Sequence, residues 1–555
     1  MRLKSALISL LFSQCFVSAT LVNRDTPVTV HLKNGAAFQG VRVAVNNTEQ
    51  FLGIPFAQPP VGNLRFKAPV AISTPTKGIQ DASQFKTACP QPPTKSGLKF
   101  DSDIGAPVAE DCLFINIFRP AGTSAKDSLP VLVWLYSGGY TTGAGSNPAS
   151  NPSRIIQRSV SIGKPIIFVS LNYRVNTFGF LASRFVAPED LNAGLLDQQL
   201  ALQFVQQNIA SFGGEPAKVT CWGQSAGAGS CEAHVLFPAL QNLFRSVITD
   251  SSTGPFKSAP SAFQYDEPGK PFASLVEAVG CPLSSESVAC LQQIPFETLL
   301  NVSNTMINNR LNQQLWEPTV GPSNSLIPER PSERIASGSF RHDVAYMAGT
   351  NLNEGTVFSQ SLINASHPGM TEDQALNSFL SQLLLDNTTF TPDVLGTFDT
   401  LFPANDPTAG GPFHTGDSLF DRAASWYTDA MFLAPRRLFF DKAVPLSSKP
   451  FFGYFFTEFI PGNNRTLGVF HDSELILLYG PVPTPVENEF ANTLLDFWIS
   501  FVADQNPGGN WPEFSTSQKQ ILQLMRDNIT IITDDFDVEK TNFINSAKVL
   551  NEMEK

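Results

Sequence analysis

The sequence predicts an α/β fold in which a large, mixed but mostly parallel central sheet is flanked by helices. Two observations predict it. Short apolar runs without polar alternation recur along the chain, as is typical of strands that are buried on both faces. Helix-compatible stretches separate these runs, and strand–helix alternation of this kind builds a parallel sheet covered on both sides.

The chain opens with a different pattern. Within residues 26–56, the runs 28–32 and 41–45 alternate apolar and polar side chains, and Asn34-Gly35 lies between them. Alternating runs separated by a turn dipeptide predict antiparallel strands. We therefore expect an antiparallel start to the sheet.

Continuous apolar runs follow and predict the buried strands; they lie at 131–136, 166–171, 219–222, 246–249, 344–348 and 451–456. The clearest helix is 195–212, where apolar residues are spaced to form one broad face. The last helical candidates are 489–502 and 538–550, and no internal repeat or low-complexity tract interrupts the pattern.

Composition favours one large domain. Of the 555 residues, 42% are hydrophobic and 15% are charged, which supplies a sizeable core, and no stretch resembles a linker. The 45 phenylalanines fit core packing, and some could line an apolar cleft. A net charge of -12 without any basic run argues against nucleic acid as a partner.

The N-terminus predicts secretion. Residues 1–19 combine basic residues, an apolar stretch and a small-residue exit, the pattern of a signal peptide, so we expect a mature domain over 20–555. No later segment is apolar for long enough to span a bilayer. Six sequons are candidate glycosylation sites: Asn46, Asn301, Asn364, Asn387, Asn464 and Asn528.

Six cysteines remain after Cys15 leaves with the signal peptide, and they allow up to three disulfides in an oxidising compartment. Cys89, Cys112, Cys281 and Cys290 lie in loop-like surroundings where bridges are plausible. The two others, Cys221 and Cys231, lie on either side of the segment 223–227, and we interpret them as small apolar core residues.

The most informative motif is Gly223-Gln224-Ser225-Ala226-Gly227. It follows the apolar run 219–222 and precedes the small-residue, helix-compatible run 228–233. Strand, sharp turn and helix are the setting of a nucleophile elbow, in which the glycines let the backbone fold tightly and leave the serine Oγ exposed. We predict Ser225 as the nucleophile.

A serine nucleophile needs an imidazole base, which in turn needs a carboxylate to orient it. In this architecture the chain order is serine, acid, histidine. Glu354 follows the strand 344–348 and is the predicted acid. Of the three histidines that come later, His367 and His414 lie in surface-loop contexts, whereas His471 follows the strand 451–456 and is the predicted base.

Acyl transfer also needs donors for the developing oxyanion. The backbone N–H of Ala226, directly after the nucleophile, is one candidate. Gly138 and Gly139 end the run 131–136 with a Ser137-Gly-Gly-Tyr turn, where the backbone can approach a ligand closely. We predict these three N–H groups as the oxyanion hole.

Several further stretches resemble the type-B carboxylesterase and lipase family, which includes cholinesterases and secreted fungal lipases. They lie, in the family's order, at 51–56, 64–66, 110–113, 172–174, 194–198 and 208–216. The resemblance implies an α/β-hydrolase fold and the Ser225, Glu354, His471 triad. It also implies disulfides Cys89–Cys112 and Cys281–Cys290 and ion pairs Arg65–Glu110 and Arg174–Asp197.

The chain departs from this family's pattern at two places in the site. Gln224 stands where the family usually has glutamate, which removes a negative charge, and Ser137 replaces the first glycine of the oxyanion loop. Between Cys89 and Cys112 there is no tryptophan, whereas cholinesterases hold a quaternary ammonium with one there. Choline esters are therefore poor candidate substrates.

Together these features predict a secreted serine hydrolase of carboxylic esters with apolar acyl or alcohol groups. Its partner would be a small-molecule or lipid ester, and no metal or organic cofactor is required. The alternative is a non-catalytic, cholinesterase-like binding or adhesion protein. Among enzymes, sterol esterase and triacylglycerol lipase remain open, as does the oligomeric state.

Overall fold

A computed structural model describes residues 25–93, 103–252, 254 and 256–555. The expected signal peptide, residues 1–19, lies outside these ranges. In the part of the chain that the structure describes, no helix is long and apolar enough to cross a membrane.

One large sheet organises the described chain. Its strands are β1 (Thr26–His31), β2 (Ala37–Val43), β3 (Thr48–Pro55), β4 (Ile79–Asp81), β5 (Phe114–Pro120), β6 (Leu129–Leu135), β7 (Ile167–Leu171), β8 (Gly214–Gln224), β9 (Ser246–Asp250), β10 (Ala345–Asn351), β11 (Phe451–Phe456), β12 (Gln520–Leu524) and β13 (Thr530–Thr533).

The strand order is β1-β2-β3-β5-β7-β6-β8-β9-β10-β11-β12-β13, with β4 beside β2. The strands from β7 to β12 in this order pair in parallel, whereas β1, β2, β3 and β5 join antiparallel at one side and β13 at the other. The predicted α/β fold with an antiparallel opening is confirmed. A parallel core places every strand's carboxyl end on one edge, where a site can form.

Helices cover the sheet and form the outer layers. They are α1 (Ser153–Ser161), α2 (Asn176–Phe180), α3 (Ala193–Asn208), α4 (Ala226–Leu236), α5 (Pro271–Ala278), α6 (Ser287–Gln293), α7 (Phe296–Asn308), α8 (Pro331–Ser337), α9 (Glu372–Gln382), α10 (Pro392–Leu401), α11 (Ser418–Thr428), α12 (Ala434–Ala443), α13 (Leu475–Tyr479), α14 (Asn488–Asp504), α15 (Val538–Ile544) and α16 (Ala547–Glu552).

Two predicted elements differ from the structure. The helix expected over 538–550 is two helices, because Ser546 begins a new one by accepting a hydrogen bond from the Val549 N–H. The strand expected over 41–45 ends at Val43, and the chain turns there, which leaves Val45 almost fully exposed. The sequence pattern thus indicated both elements but not their ends.

Apolar side chains fill both faces of the sheet. On one face an aromatic layer crosses the central strands, in which Trp134 meets Trp222 at 4.6 Å between ring centroids and Tyr479 stacks on Trp222 at 5.3 Å. Fully burying a large apolar side chain contributes about 1.5–3 kcal/mol. This layer lies beneath the carboxyl ends of β6 and β8, and it supports the segments that follow these strands.

Disulfides join Cys89 to Cys112 and Cys281 to Cys290, while Cys221 and Cys231 are free and buried.

Arg65 pairs with Glu110 at 2.6 Å. The same guanidinium donates to the carbonyl of Ile294, four residues after the second bridge.

Arg174 pairs with Asp197 at 2.6 Å, and both side chains are buried. Burial raises the pKa of Asp197, although the Arg174 charge opposes that shift. Buried pairs of this kind hold geometry more reliably than they add stability, because desolvating both charges offsets their attraction.

Candidate active site

The candidate site lies at the carboxyl edge of the parallel strands. β6 leads into the glycine loop at 138–139, β8 leads into Ser225, β10 leads into Glu354, and the loop after β11 carries His471. Adjacent parallel strands end at the same edge, so residues more than 300 positions apart in sequence are brought to one place.

A sharp backbone turn positions Ser225. Its φ of 56° and ψ of -121° are strained for a residue with a side chain, and it is the N-cap of α4. A Cβ on Gly223 would lie 2.2 Å from the Gly227 carbonyl carbon, and a Cβ on Gly227 would lie 2.0 Å from the Leu135 oxygen. Only glycine fits at both places, which accounts for the spacing of the motif.

Backbone hydrogen bonds fix the strained turn. The N–H of Ser225 donates to the carbonyl of Asp250 at the end of β9, and its own carbonyl accepts from the N–H of Gly229. These bonds tie the turn to the neighbouring strand and to the first turn of α4. The serine is consequently held at the point where the helix N-terminus favours developing negative charge.

Glu354 and His471 are in direct contact. The distance from Glu354 Oε2 to His471 Nδ1 is 2.5 Å, and both side chains are buried. The other carboxylate oxygen, Oε1, accepts from the Ser251 hydroxyl and from the Asn351 N–H, each at 2.6 Å. With both oxygens engaged, the carboxylate has one orientation and presents Oε2 to the imidazole.

The other ring nitrogen of His471 faces the elbow. Its Nε2 lies 3.1 Å from the side-chain nitrogen of Gln224, the residue before Ser225. No hydrogen bond joins the Ser225 Oγ to the ring in the described structure. Catalytic hydrogen bonds are often long before a substrate binds. The structure thus brings Glu354 and His471, the predicted acid and base, together and places the ring of His471 against the elbow.

Aromatic rings enclose the imidazole. The ring of Phe358 lies 5.1 Å from that of His471 and the ring of Phe432 lies 4.8 Å from it, between centroids. Phe432 belongs to a single π-helical turn, Asp429–Leu433, between α11 and α12. Such turns are frequent at functional sites because they re-aim side chains. Here the turn places an apolar surface beside the base.

The glycine loop after β6, from which two oxyanion donors are predicted, forms a tight turn. Gly138 and Gly139 have φ of 102° and 60°, and a Cβ on Gly138 would lie 2.3 Å from the Thr142 carbonyl oxygen. The Gly138 carbonyl accepts from the N–H groups of Thr141 and Thr142, which closes the turn. Across this described loop, the N–H groups of both glycines donate to no acceptor.

A polar side chain lies against this loop. A Cβ on Gly139 would come within 2.9 Å of the Gln314 side-chain nitrogen, so this glycine leaves room for the amide. Gln314 Oε1 accepts from Lys257 Nζ at 3.0 Å, and Lys257 pairs with Glu317 at 2.7 Å. The lysine and the glutamate are buried, and this network fixes the wall beside the glycines.

A carboxyl group with an unusual environment lies beneath the site. Asp250 accepts from the Trp222 indole N–H at 2.6 Å and from the Tyr454 hydroxyl at 2.8 Å, and it is fully buried. Burial raises the pKa of Asp250 to about 7, and the nearby charge of Glu354 adds to the shift. The two hydrogen bonds lower the pKa but do not cancel the effect of burial.

This shift predicts that stability falls as pH rises. Between pH 3.8 and about 7, folded Asp250 holds a proton that the unfolded chain has released. The free energy of unfolding therefore decreases through this window by up to about 1.4 kcal/mol per pH unit from this group. We expect Asp250→Asn, measured by chemical denaturation from pH 4 to 7, to flatten that slope.

The exposed substitution Asp535→Asn is the matched control and should leave the slope of the wild-type protein in place. If Asp250→Asn shows the wild-type slope, Asp250 does not retain its proton in the folded protein.

Sequence reasoning missed the residues that hold the acid. Ser251 follows β9 directly, and Asn351 is the last residue of β10. Polar residues at the carboxyl end of buried strands were the available signal, but nothing in the pattern pairs them with Glu354. The sequence shows the departure from the family pattern at Gln224 but not the contact of this side chain with His471.

Within the described ranges, no cluster of three or more His, Cys, Asp or Glu side chains could hold a metal ion.

Comparison with known proteins gives consistent results. The sequence model described as "Carboxylesterase family" matches residues 26–543. The chain is 32% identical to secreted lipase 1 of Botryotinia fuckeliana over 529 residues, which cover 88% of each chain. It is 30% identical to secreted triacylglycerol lipase LIP1 of Gibberella zeae, with 95% of this chain and 91% of that protein covered.

A solved structure is also similar. The crystal structure of EstA from Aspergillus niger superposes with a TM-score of 0.77 at 26% sequence identity, and the match covers 95% of this chain and 99% of that one. The architecture described above is therefore that of a solved protein over nearly its whole length.

Proposed function

This chain belongs to the carboxylesterase family and is a carboxylic-ester hydrolase, and we propose that it works through an acyl-enzyme on Ser225. The observation that carries the proposal is the 2.5 Å contact between Glu354 and His471, with the opposite edge of the ring against the elbow. A buried carboxylate on one nitrogen of an imidazole leaves the other nitrogen able to accept a proton.

In the first half of the reaction, the Ser225 Oγ attacks the ester carbonyl while His471 Nε2 takes its proton. The N–H groups of Gly138, Gly139 and Ala226 receive the oxyanion, and each such donor lowers the barrier by about 3 kcal/mol. His471 then gives the proton to the leaving alcohol. Glu354 stabilises the imidazolium throughout without itself being protonated.

In the second half, water replaces the alcohol. His471 Nε2 removes a proton from the water, which attacks the acyl carbonyl, and the proton returns to Ser225 as the acid leaves. The same three N–H groups stabilise the second oxyanion. All proton transfers in this scheme use one nitrogen of one ring, because Glu354 keeps the other nitrogen occupied.

We propose substrates with apolar acyl or alcohol parts. The rings of Phe358 and Phe432 beside the base supply an apolar wall. Relatives at about 30% identity are named lipases, one of them a triacylglycerol lipase. We therefore place acylglycerols ahead of steryl esters as the natural class. Trioleoylglycerol should be cleaved faster than cholesteryl oleate, as titration of the released oleate would show.

We expect esters with a neutral alcohol part to be cleaved faster than esters with a cationic one. The stretch between Cys89 and Cys112 has no tryptophan to hold a quaternary ammonium. We expect 3,3-dimethylbutyl butyrate to exceed butyrylcholine in kcat/KM by at least about fivefold, because moving the quaternary ammonium out of water costs free energy that no cation–π contact offsets. The two esters differ only in charge, so equal or reversed rates would contradict this assignment.

We also propose that the protein acts outside the cell, as two of its relatives are named secreted. Five of the six sequon asparagines are exposed, which suits glycosylation: Asn301, Asn364, Asn387, Asn464 and Asn528. Asn46 is half-buried, and its side-chain nitrogen donates to the Ser153 hydroxyl at 2.8 Å. A glycan on this half-buried nitrogen would have to fit against Ser153, so the proposed glycosylation sites are the exposed five.

A further inference from the structure

The side chain of Gln224 has one contact that the reaction scheme does not use. It is the last residue of β8, it is fully buried, and its Nε2 lies 3.1 Å from His471 Nε2. Its carbonyl oxygen, Oε1, has no hydrogen-bond partner within the described part of the chain. Leaving a buried amide oxygen without a partner costs free energy. A protonation state of the site in which Oε1 of Gln224 has a donor would remove this cost.

The protonation of the imidazole provides such a state. With Glu354 on Nδ1, the neutral ring carries a lone pair on Nε2, and the amide N–H of Gln224 donates to it. Once Nε2 has taken a proton, it becomes a donor. A half-turn of the amide then exchanges nitrogen for oxygen and lets Oε1 accept from Nε2–H. Glutamine can therefore contact both forms of the base.

A carboxylate at this position would behave differently. It has only acceptor atoms, so it would bind the protonated ring and leave the neutral ring without a donor. It would also add a full negative charge about 3 Å from the base, where an opposite charge favours the protonated ring. The amide of Gln224 adds no such charge.

The surroundings of the ring make this charge important. Glu354 contacts the ring directly, and Asp472 and Glu474 follow His471 in the chain. Burial raises the pKa of Glu474 well above its ordinary value, and the charges of Asp250 and Glu354 add to that shift. The contacts described around His471 include no basic side chain that would offset the charge of a further carboxylate.

We propose that Gln224 is a positioning residue for His471, holding the Nε2 edge of the ring between turnovers and setting the acid limit of activity by contributing no charge. The proposal rests on the proposed roles of Ser225 and His471. It assigns to the amide the alternation between donor and acceptor that a glutamate at this position could not perform.

Two variants test the proposal on p-nitrophenyl butyrate. In Gln224→Glu, the acid limb of kcat/KM should move to higher pH by about one to three units. In Gln224→Met, which has similar volume but neither donor nor charge, kcat should fall about five- to tenfold with KM unchanged, because the ring is no longer held. The second variant decides the question if the first does not fold.

Gln207→Glu is the matched control, because it makes the same amide-to-carboxylate change away from the site. Gln207 is exposed in the last turn of α3, before β8 begins, whereas Ser225 follows the end of β8. The acid limb should then stay where the wild-type protein has it. An unmoved acid limb in folded Gln224→Glu, or a wild-type kcat in Gln224→Met, would overturn the proposal.

Labelling of the wild-type protein by a fluorophosphonate separates this outcome from a failure of the proposed function. Labelling at Ser225 with an unmoved acid limb overturns only the role of Gln224. An unlabelled Ser225 overturns the reaction scheme on which that role rests.

Discussion

Ser225→Ala is expected to abolish ester hydrolysis while the protein stays folded. The hydroxyl supplies the atom that forms the acyl-enzyme, and loss of the nucleophile in triads of this kind costs about 10⁴-fold or more in kcat. The Ser225 Oγ makes no hydrogen bond in the described structure, so its removal leaves no buried group unpaired. Hydrolysis of p-nitrophenyl butyrate and thermal unfolding, measured on the same preparation, test both halves of this expectation.

Ser473→Ala is the matched control for that experiment. Ser473 is buried two residues from His471, and its hydroxyl has no hydrogen-bond partner in the part of the chain that is described. Its removal should leave turnover within a few-fold of wild type. Turnover retained by Ser225→Ala would refute the nucleophile assignment. Equal losses in both variants would indicate a general disturbance of the site.

Glu354→Gln is expected to lower kcat by about 10⁴-fold, as in other triads where the acid becomes an amide. Ser251 and the Asn351 N–H both donate to Oε1. The new amide would therefore keep its oxygen toward these two donors and direct its N–H₂ at His471 Nδ1. That contact forces the ring proton onto Nε2, which can then no longer accept the proton of Ser225.

Glu474→Gln tests whether any buried carboxyl group nearby would show the same loss. Glu474 contacts Asn351 and not the imidazole, and burial raises its pKa well above the ordinary value. Glutamine has the same shape and keeps an oxygen that can accept from the Asn351 side chain. Its kcat should remain within about tenfold of wild type, an allowance for the shared contact at Asn351. Comparable losses in the two variants would mean that Glu354 acts through the cluster and not as the orienting acid.

The strands that carry the site could be predicted because their signal is local. A strand buried on both faces must be apolar along its length, and the apolar runs at 131–136, 219–222, 344–348 and 451–456 all correspond to strands. The carboxyl ends of parallel strands also lie at one edge of the sheet, which is why Ser225, Glu354 and the glycine loop could be assigned to the same place from the sequence alone.

Three other kinds of element could not be predicted from local sequence patterns. β12 and β13 form the last two strands of the sheet, and their alternating, partly exposed residues resemble ordinary loop sequence. β5 is buried, but it begins at Phe114, directly after the Cys112 loop, and no turn residue marks its start. The π-helical turn 429–433 has no local signature, because it depends on how α11 and α12 pack.

The sequence by itself specified the groups for the proposed chemistry: a serine between glycines, an imidazole, a carboxylate and the backbone N–H groups of a glycine loop, each placed after a strand. Only the tertiary structure decided which atoms meet. The contact of Glu354 with Ser251, the burial of Asp250 between Trp222 and Tyr454, and the contact of Gln224 with His471 all join residues far apart in the chain. Local patterns specify elements, whereas such contacts depend on how loops of variable length pack against one another.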